Sequence, residues 1–336
     1  VPEQTLIIGG TGFIGGAILA SLVGEGVPVR AAVRGGAGAV RAAGAVPVVA
    51  DLLDPGALRR AMAGCSLVYH AGGLNSMCPK EPGRLFEVNV QGSANVITAA
   101  ARAGVRRVVY TSSAATLGER RDTVATEDSP HRGRFLSQYE RSKYLAERRV
   151  LELGSQLGVD VVCVNPSSVQ GPGRTRGTAR WLIRYADGRL GWMVDTRVSL
   201  LAIGDCTRAH LLAAERGVAG RRYLLNGGTL QIRELIDLVA AVTGHRHPVR
   251  YLPGSAALTG AVAAEAAYRL IGRRPPVCRD MVRTLLHGHI YDGSRAAREL
   301  GFSYQPMADF VRATLEWYAR AGLIRDSSWL RPPLGL

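Results

Sequence analysis

Thr5-Leu6-Ile7-Ile8-Gly9-Gly10-Thr11-Gly12-Phe13-Ile14-Gly15 stands near the start of the chain. Leu6 to Ile8 is an apolar run that reads as a buried strand. Glycines follow at 9, 12 and 15, and then Ile18, Leu19, Leu22 and Val23 recur at helical spacing. A strand that turns sharply into a helix aims free backbone N–H groups at one point, and the helix dipole makes that point attractive to a phosphate. In such a turn Gly9 permits the bend, Gly12 lets a pyrophosphate approach the backbone, and Gly15 lets helix and strand pack closely. Thr11, Phe13 and Ile14 lie between these glycines and count with them as cofactor contacts. The spacing G-x-x-G-x-x-G is one residue longer than the usual G-x-G-x-x-G, and by itself it is equally the mark of a plain turn.

The pattern repeats outward. Strands are expected at 5–8, 27–33, 46–49, 67–70, 108–110 and 159–164, and helices near 13–24, 54–63, 84–103 and 136–154. Asp54-Pro55 is a helix start, an acid at the cap followed by proline in the first turn. Strand–helix alternation on this scale predicts an α/β fold, a Rossmann-type doubly wound parallel sheet. Beyond Asn165 the alternation breaks at Gly171-Pro172-Gly173. Helical patterns follow at 175–187, 205–216, 231–243, 255–272 and 306–322. We therefore expect a dinucleotide-binding domain from 1–165 plus 196–225, the latter returning to the sheet, and a smaller C-terminal α/β substrate domain from 166–195 plus 226–330.

The totals narrow the class. The 336 residues are 47% hydrophobic and 21% charged, which suits an ordinary buried core. Five cysteines are scattered, an odd number with none in C-x-x-C spacing. This predicts a reducing, cytoplasmic setting with no disulfide framework and no zinc or other metal site. Val1 is not followed by a charged segment leading into an apolar one, and no run of 18 apolar residues exists, so no membrane span is expected. The net charge is +15, and only Lys80 and Lys143 among the 42 basic residues are lysine. The arginines are dispersed rather than clustered with aromatics. That favours a solvated basic surface, with no nucleic-acid partner.

Candidate site residues fall at the carboxyl ends of the expected strands, where open α/β sheets bind ligands. They are Gly9 to Gly15, Arg34, Asp51-Leu52, His70-Ala71-Gly72-Gly73, Thr111-Ser112-Ser113 and Asn165-Pro166-Ser167-Ser168. Six coincidences in register predict one long crevice. An NAD site usually carries an acid about 20 residues after the glycines. No acid occurs between Val27 and Ala50, whereas Arg34 stands at the strand end. A guanidinium there suits a 2′-phosphate, so NADP(H) is favoured and NAD(H) remains possible. Asp51 and Leu52 are placed beside the adenine.

The chemical centre is Tyr139-Glu140-Arg141-Ser142-Lys143. A tyrosine and a lysine four apart share a helix face. A free phenol is a poor base at neutrality, and an adjacent ammonium favours its anion. Lysine also bonds ribose hydroxyls from a compact head, and its use in so arginine-rich a chain is informative. Ser113 supplies a hydroxyl that polarises a carbonyl oxygen while Tyr139 delivers or removes its proton. A surface helix pair and turn hydroxyls bonding the local backbone are the plain alternatives.

Together these residues resemble the extended short-chain dehydrogenase/reductase superfamily, over about residues 5 to 322. The resemblance rests on the glycine turn, Asp51-Leu52, His70 to Gly73, Asn89-Val90-Gln91-Gly92, Tyr110 to Ser113, Tyr139-x-x-x-Lys143, and Asn165-Pro166 through Gly171-Pro172. Within it the chain is similar to the dihydroflavonol-reductase-like and hopanoid-associated sugar-epimerase-like branches, through Val29 to Arg34 and Asn165 to Ser168. The resemblance implies Ser113, Tyr139 and Lys143 as catalytic residues. It implies cofactor contacts at Gly9, Thr11, Gly12, Phe13, Ile14, Gly15, Arg34, Asp51, Leu52, His70, Ala71, Gly72, Asn89, Thr111, Tyr139, Lys143, Asn165, Pro166 and Ser168. In reductases of that group the arginine matching Arg34 contacts the NADPH phosphate.

Three departures bear on the substrate. His70-Ala71-Gly72-Gly73 replaces H-x-A-A, leaving more room near the nicotinamide. Ala114-Ala115 stands where nucleotide-sugar dehydratases carry Asp-Glu, which excludes 4,6-dehydration. In Arg197 to Asp205, Val198 occupies the position at which nucleotide-sugar epimerases carry an arginine. The reading is an NADP(H)-dependent oxidoreductase that interconverts a small-molecule ketone and a secondary alcohol. Its pocket is expected to be lined partly by Trp181, Trp192, Tyr251 and residues 255–272. A sugar epimerase with tightly held NAD is the alternative, and a non-catalytic dinucleotide-sensing regulator is the third reading. Relatives pair through helices matching 84–103 and 136–154, so a homodimer is expected.

Overall fold

The computed structural model describes residues 4–330; Val1, where the N-terminal reading begins, lies outside them. In chain order the strands are β1 (Gln4–Ile8), β2 (Val29–Val33), β3 (Val46–Val49), β4 (Cys65–His70), β5 (Arg107–Thr111), β6 (Val124–Ala125), β7 (Asp160–Pro166), β8 (Ser168–Gln170), β9 (Trp192–Val194), β10 (Arg197–Ala202), β11 (Arg222–Leu225), β12 (Gly228–Gln231), β13 (Arg250–Leu252) and β14 (Ile290–Tyr291). Seven of them form one sheet in the order β11-β7-β5-β4-β1-β2-β3. Every pairing in it is parallel. The strand order reverses direction at the β1/β4 boundary, the switch point at which such sheets hold their ligands.

Alternation along the strands builds two cores. Leu6 and Ile8 face a layer with Leu58, Met62, Val96, Ile97 and Val150. Ile7 faces the opposite layer with Ile18, Leu19, Leu22 and Ala209. Both faces are covered, which is why these strands read as continuous apolar runs rather than alternating ones. Helices Pro55–Met62, Gly92–Ala103 and Gln138–Leu157 cover the first face, and Phe13–Gly24 and Ile203–Arg216 the second. Asp54 caps its helix as expected, accepting from the Ala57 N–H at 2.9 Å.

A third core gathers Leu182, Tyr185, Met193, Leu200, Ile232, Ile236, Phe310, Leu315 and Tyr318. It lies against a three-stranded sheet of order β12-β10-β8. Here the structure departs from expectation. The 196–225 segment was expected to return to the main sheet, but only β11 does so. β10 pairs with β8 and β12 instead, because Leu200 and Ala202 bury their side chains in the third core. The expected single helix over 84–103 is also more complex. It begins at Pro82, widens into a π turn at Glu87–Gln91 and resumes as Gly92–Ala103.

The expectation of no disulfide is overturned. Cys78 and Cys278 are bridged across 200 residues of sequence. Spacing motifs report only local pairings, so a bridge between two distant loops leaves no trace in them. The reducing setting inferred from scattered cysteines loses that support. Among the described residues no helix is long and apolar enough to cross a membrane.

Candidate active site

The glycine turn follows β1 and faces the loop that follows β4. A Cβ on Gly9, whose φ is +89°, would lie 2.7 Å from the carbonyl carbon of Ala71 and from the nitrogen of Gly72. A Cβ on Gly15 would lie 2.2 Å from the carbonyl oxygen of Gly9. Both positions are therefore closed to side chains, and the Ala71 N–H donates to the Ile8 carbonyl at 2.9 Å to lock the two loops together. Gly12 differs, since it is exposed and a Cβ there would meet only the Gly9 oxygen at 3.2 Å. It caps the Phe13 helix without any side-chain hydrogen bond. The first N–H groups of that helix thus have no partner within it, and they follow exposed Thr11 and Gly12 at the switch point. These features fit the pyrophosphate of a dinucleotide.

At the end of β2, Arg34 is exposed and makes no hydrogen bond or ion pair with another described residue. Asp51 is half-buried and accepts from the Leu53 N–H at 2.8 Å. The Leu52 side chain packs on Gly92, where a Cβ would come 2.9 Å from it. His70 turns inward. It is wholly buried, with Nε2 3.0 Å from the Ser93 hydroxyl and its ring 5.3 Å from that of Tyr110. Burial pushes its imidazole down to about 3, with the Lys143 charge adding to the effect, so it is neutral. The His70 ring is thus closed off, while Ala71 and Gly72 beyond it are half-buried. The Asn89 side chain, carried on the π turn, is fully engaged. It accepts from the Leu74 N–H at 2.7 Å and donates to the Leu74 carbonyl and the Ser142 hydroxyl, each at 3.0 Å.

Tyr139 and Lys143 sit on the first turns of the Gln138–Leu157 helix. Its start is pinned by three bonds. Ser137 accepts from the Glu140 N–H at 3.1 Å, the Glu140 carboxylate accepts from the Leu136 N–H at 2.8 Å, and it also pairs with Arg132. Ser142 donates to the Tyr139 carbonyl at 2.8 Å, which joins this turn to Asn89. Lys143 is buried. Its ammonium donates to the Thr111 carbonyl at 2.9 Å and to the Tyr110 hydroxyl at 3.1 Å, and lies 4.6 Å from the Tyr110 ring centre. Burial lowers its pKa, while the negative potential of Tyr139 works in the other direction. Lys143 is thereby fixed to the end of β5, two residues before Ser113.

Ser113 opens a short 3₁₀ turn over Ala114–Leu117, its hydroxyl accepting from the Ala115 N–H at 3.3 Å. Its carbonyl accepts from Thr116 and from Asn165. Asn165 is buried under this turn and donates to Thr116 at 2.9 Å and to Glu147. Pro166 is buried beside it, and Ser168 is 3.2 Å from the Thr178 hydroxyl. The Thr111 hydroxyl lies 2.9 Å from Nε2 of His210, whose Nδ1 is 2.7 Å from the Cys206 carbonyl.

Sequence reasoning missed Arg174 and His210. Arg174 holds its guanidinium 5.3 Å over the Phe13 ring, beside the glycine turn. Burial lowers its pKa, while the negative potentials of Tyr318 and Tyr139 work in the other direction. One arginine among many in a loop gives no signal of this. His210 lies in a helix whose apolar face is unremarkable, and only the long-range contact with Thr111 reveals it. Of the aromatics expected in a pocket, Trp181 lines a small apolar cavity with Leu182, Met193 and Ile232. Trp181 and Tyr251 pack on the third core, Trp192 is exposed, and the Gly254–Leu270 helix buries only Ala261.

Comparison with known proteins places the chain by family and fold. A model of the NAD dependent epimerase/dehydratase family matches residues 5–225. A Synechocystis sp. protein assigned by name as a dihydroflavonol 4-reductase is 31% identical over 330 residues, covering 95% of each chain. A Stigmatella aurantiaca protein named 4-hydroxy-2-methyl-3-oxo-4-farnesyl-3,4-dihydroquinoline-1-oxide ketoreductase is 30% identical over 308 residues, covering 89% of this chain and 92% of its own. The crystal structure of gox2253 superposes with a TM-score of 0.83 at 29% identity, over 96% of this chain and all of that one. With its parallel sheet, its glycine cradle at the switch point and these relatives, the chain belongs to the NAD dependent epimerase/dehydratase family, within the extended short-chain dehydrogenases/reductases, and is an NAD(P)-dependent oxidoreductase.

Proposed function

We propose that the chain interconverts a ketone and a secondary alcohol with NADP(H). The observation that carries this reading is the anchoring of Lys143. Its ammonium is held on the Thr111 carbonyl at 2.9 Å, one helical turn from Tyr139 and two residues from Ser113. Three groups with complementary proton chemistry are thus tied to the end of one strand and the start of one helix. The ketoreductase name of the Stigmatella relative supports the reaction class.

In this reading the helix start at Phe13 and the backbone from Gly9 to Gly15 hold the pyrophosphate. Arg34, exposed and without a partner among the described residues, takes the 2′-phosphate. Asp51 and Leu52 border the adenine, and the Ala71-Gly72 backbone borders the dinucleotide beside it. A bound dihydronicotinamide supplies the reducing equivalents. Ser113 donates a hydrogen bond to the substrate carbonyl oxygen, and Tyr139 gives that oxygen its proton, or takes it in the reverse direction. Lys143 keeps positive charge beside the phenol and reaches the ribose hydroxyls. Thr111, Asn89, Asn165 and Ser168 act as positioning residues through the bonds described above. Pairing of two copies through 84–103 and 136–154 belongs to the same reading, and sedimentation velocity checks it.

The experiment is a spectrophotometric assay of the purified chain with NADPH against a panel of hydrophobic and polar ketones. The reading expects NADPH oxidation with at least one class and its loss in Tyr139→Phe. Unchanged turnover in that variant removes Tyr139 from the mechanism. NAD carried through purification, with no net consumption of added NADPH, would favour the epimerase reading instead.

A further inference from the structure

Behind the 3₁₀ turn that follows Ser113, the chain brings Glu119 against two histidines from the segment leading into β14. One Glu119 oxygen, Oε1, lies 2.5 Å from Nδ1 of His289 and 3.4 Å from Nε2 of His287. All three ligand atoms fall within 4.8 Å of one another. The side chain of Glu119 is 1% exposed, that of His287 7% and that of His289 16%. The two imidazoles are neighbours, with ring centres 4.7 Å apart.

The hydrogen bonds of this cluster do not close. Among the described residues, Glu119 Oε2 and His287 Nε2 are both buried without a hydrogen bond, the latter having only its 3.4 Å approach to Glu119 Oε1. Groups left in that state are destabilising, and native proteins rarely leave two of them side by side. A carboxylate and two imidazoles are also all good ligands for one kind of ion. The geometry points to a divalent-metal site formed by Glu119, His287 and His289, with zinc the best-suited ion. Two imidazole nitrogens with one carboxylate suit zinc, and three protein ligands leave a fourth position for water. Zinc–ligand bonds of about 2.0–2.2 Å place tetrahedral ligand atoms roughly 3.3 Å apart. The His287–Glu119 separation of 3.4 Å is close to this value, His289 must withdraw from Glu119 by about 0.8 Å, and the three ligand atoms start within 4.8 Å of one another.

The frame around the site is held independently of any ion. Arg132 donates to the Glu119 carbonyl at 3.1 Å, and Ser199 donates to the His289 carbonyl at 2.9 Å. The ion would join the loop behind Ser113 to the segment that carries β14. Neither Ser113, Tyr139 nor Lys143 is a ligand, so the role is one of stapling rather than catalysis. The expectation of no metal rested on cysteine spacing, and this set contains no cysteine.

The test uses the whole chain, stripped with a chelator and dialysed. It is titrated with zinc by calorimetry and with cobalt(II) by visible absorption. One equivalent of zinc per chain, a tetrahedral cobalt band and a higher melting temperature with zinc are expected. Glu119→Gln, His287→Gln and His289→Gln should each weaken binding about tenfold or more. His245→Gln, a change at an exposed histidine paired with Asp326, should not. The proposal is overturned if the unmodified chain shows no cobalt band and no stoichiometric zinc uptake. It is equally overturned if the His287→Gln, His289→Gln double variant binds as tightly as the parent. Because the first of these outcomes needs no variant, misfolding of a variant cannot shelter the idea.

Discussion

Consider the effect of exchanging His210 for glutamine on the acid sensitivity of the fold. The Nδ1–H of His210 must be the donor to the Cys206 carbonyl, since a carbonyl only accepts. Burial keeps the ring neutral near pH 7, so Nε2 is the acceptor for the Thr111 hydroxyl. Burial pushes this imidazole from 6.5 down to about 4. Below pH 6.5 the unfolded chain takes up a proton here and the folded chain does not. Stability is thus full above pH 6.5 and is lost as the pH falls from there toward the folded value. Between pH 7.5 and pH 5 the loss from this one residue is about 2 kcal/mol. His70, pushed down to about 3, contributes a loss of similar size, about 2 kcal/mol. Glu140 has the opposite sign, because burial raises its carboxyl to about 7 and the folded chain binds the extra proton. The informative quantity is therefore the difference between parent and variant, in which Glu140 cancels. The assay is urea unfolding at pH 7.5 and at pH 5.0, with linear extrapolation to water. His210→Gln should be less stable at pH 7.5 and yet lose about 2 kcal/mol less than the parent on acidification. If parent and variant lose equal amounts, the neutral buried imidazole is refuted.

Three further outcomes follow from the same structure. Arg34→Gln should raise the KM for NADPH about tenfold or more while leaving that for NADH nearly unchanged, as a lost charged contact to phosphate of 1.5–3 kcal/mol implies; equal effects on both would show that Arg34 does not read the phosphate. Gly15→Ala should abolish dinucleotide binding measured by fluorescence quenching, since its Cβ would lie 2.2 Å from the Gly9 oxygen, and full binding in a folded variant would contradict the close packing of turn and helix. Reduction with dithiothreitol, or Cys78→Ser, should lower stability by about 2–5 kcal/mol, because the bridge closes a very long loop; an unchanged unfolding midpoint would mean that the two thiols do not pair.

The parts of the fold that were legible in the sequence are those written locally. Leu6 to Ile8 alternate between two buried faces and so read as a continuous apolar strand. The glycines at 9 and 15 mark places where backbone approaches backbone. Asp54-Pro55 announces its helix by cap chemistry. Features that depend on distant partners were not legible. β10 looks like any sheet strand until Leu200 is seen facing the third core. Cys78 and Cys278 carry no mutual signal across 200 residues. His70 looked like a cofactor contact by its position, but its ring is committed to Ser93 and Tyr110 beneath the strand. Arg174 was one cation among forty-two, and its place over Phe13 is a product of tertiary geometry.

The π turn at Glu87–Gln91 has a consequence for how this architecture can lose activity. A wider turn takes in one residue more than regular helical winding would, and it displays Asn89 where the neighbouring loop needs it. Deleting one residue there would restore regular winding between the two flanking helices and swing Asn89 out of its place. The anchor for Leu74 and the link through Ser142 to Tyr139 would go with it. A one-codon deletion there would thus strike the link to Tyr139 directly, whereas a substitution in the cores would damage the scaffold first.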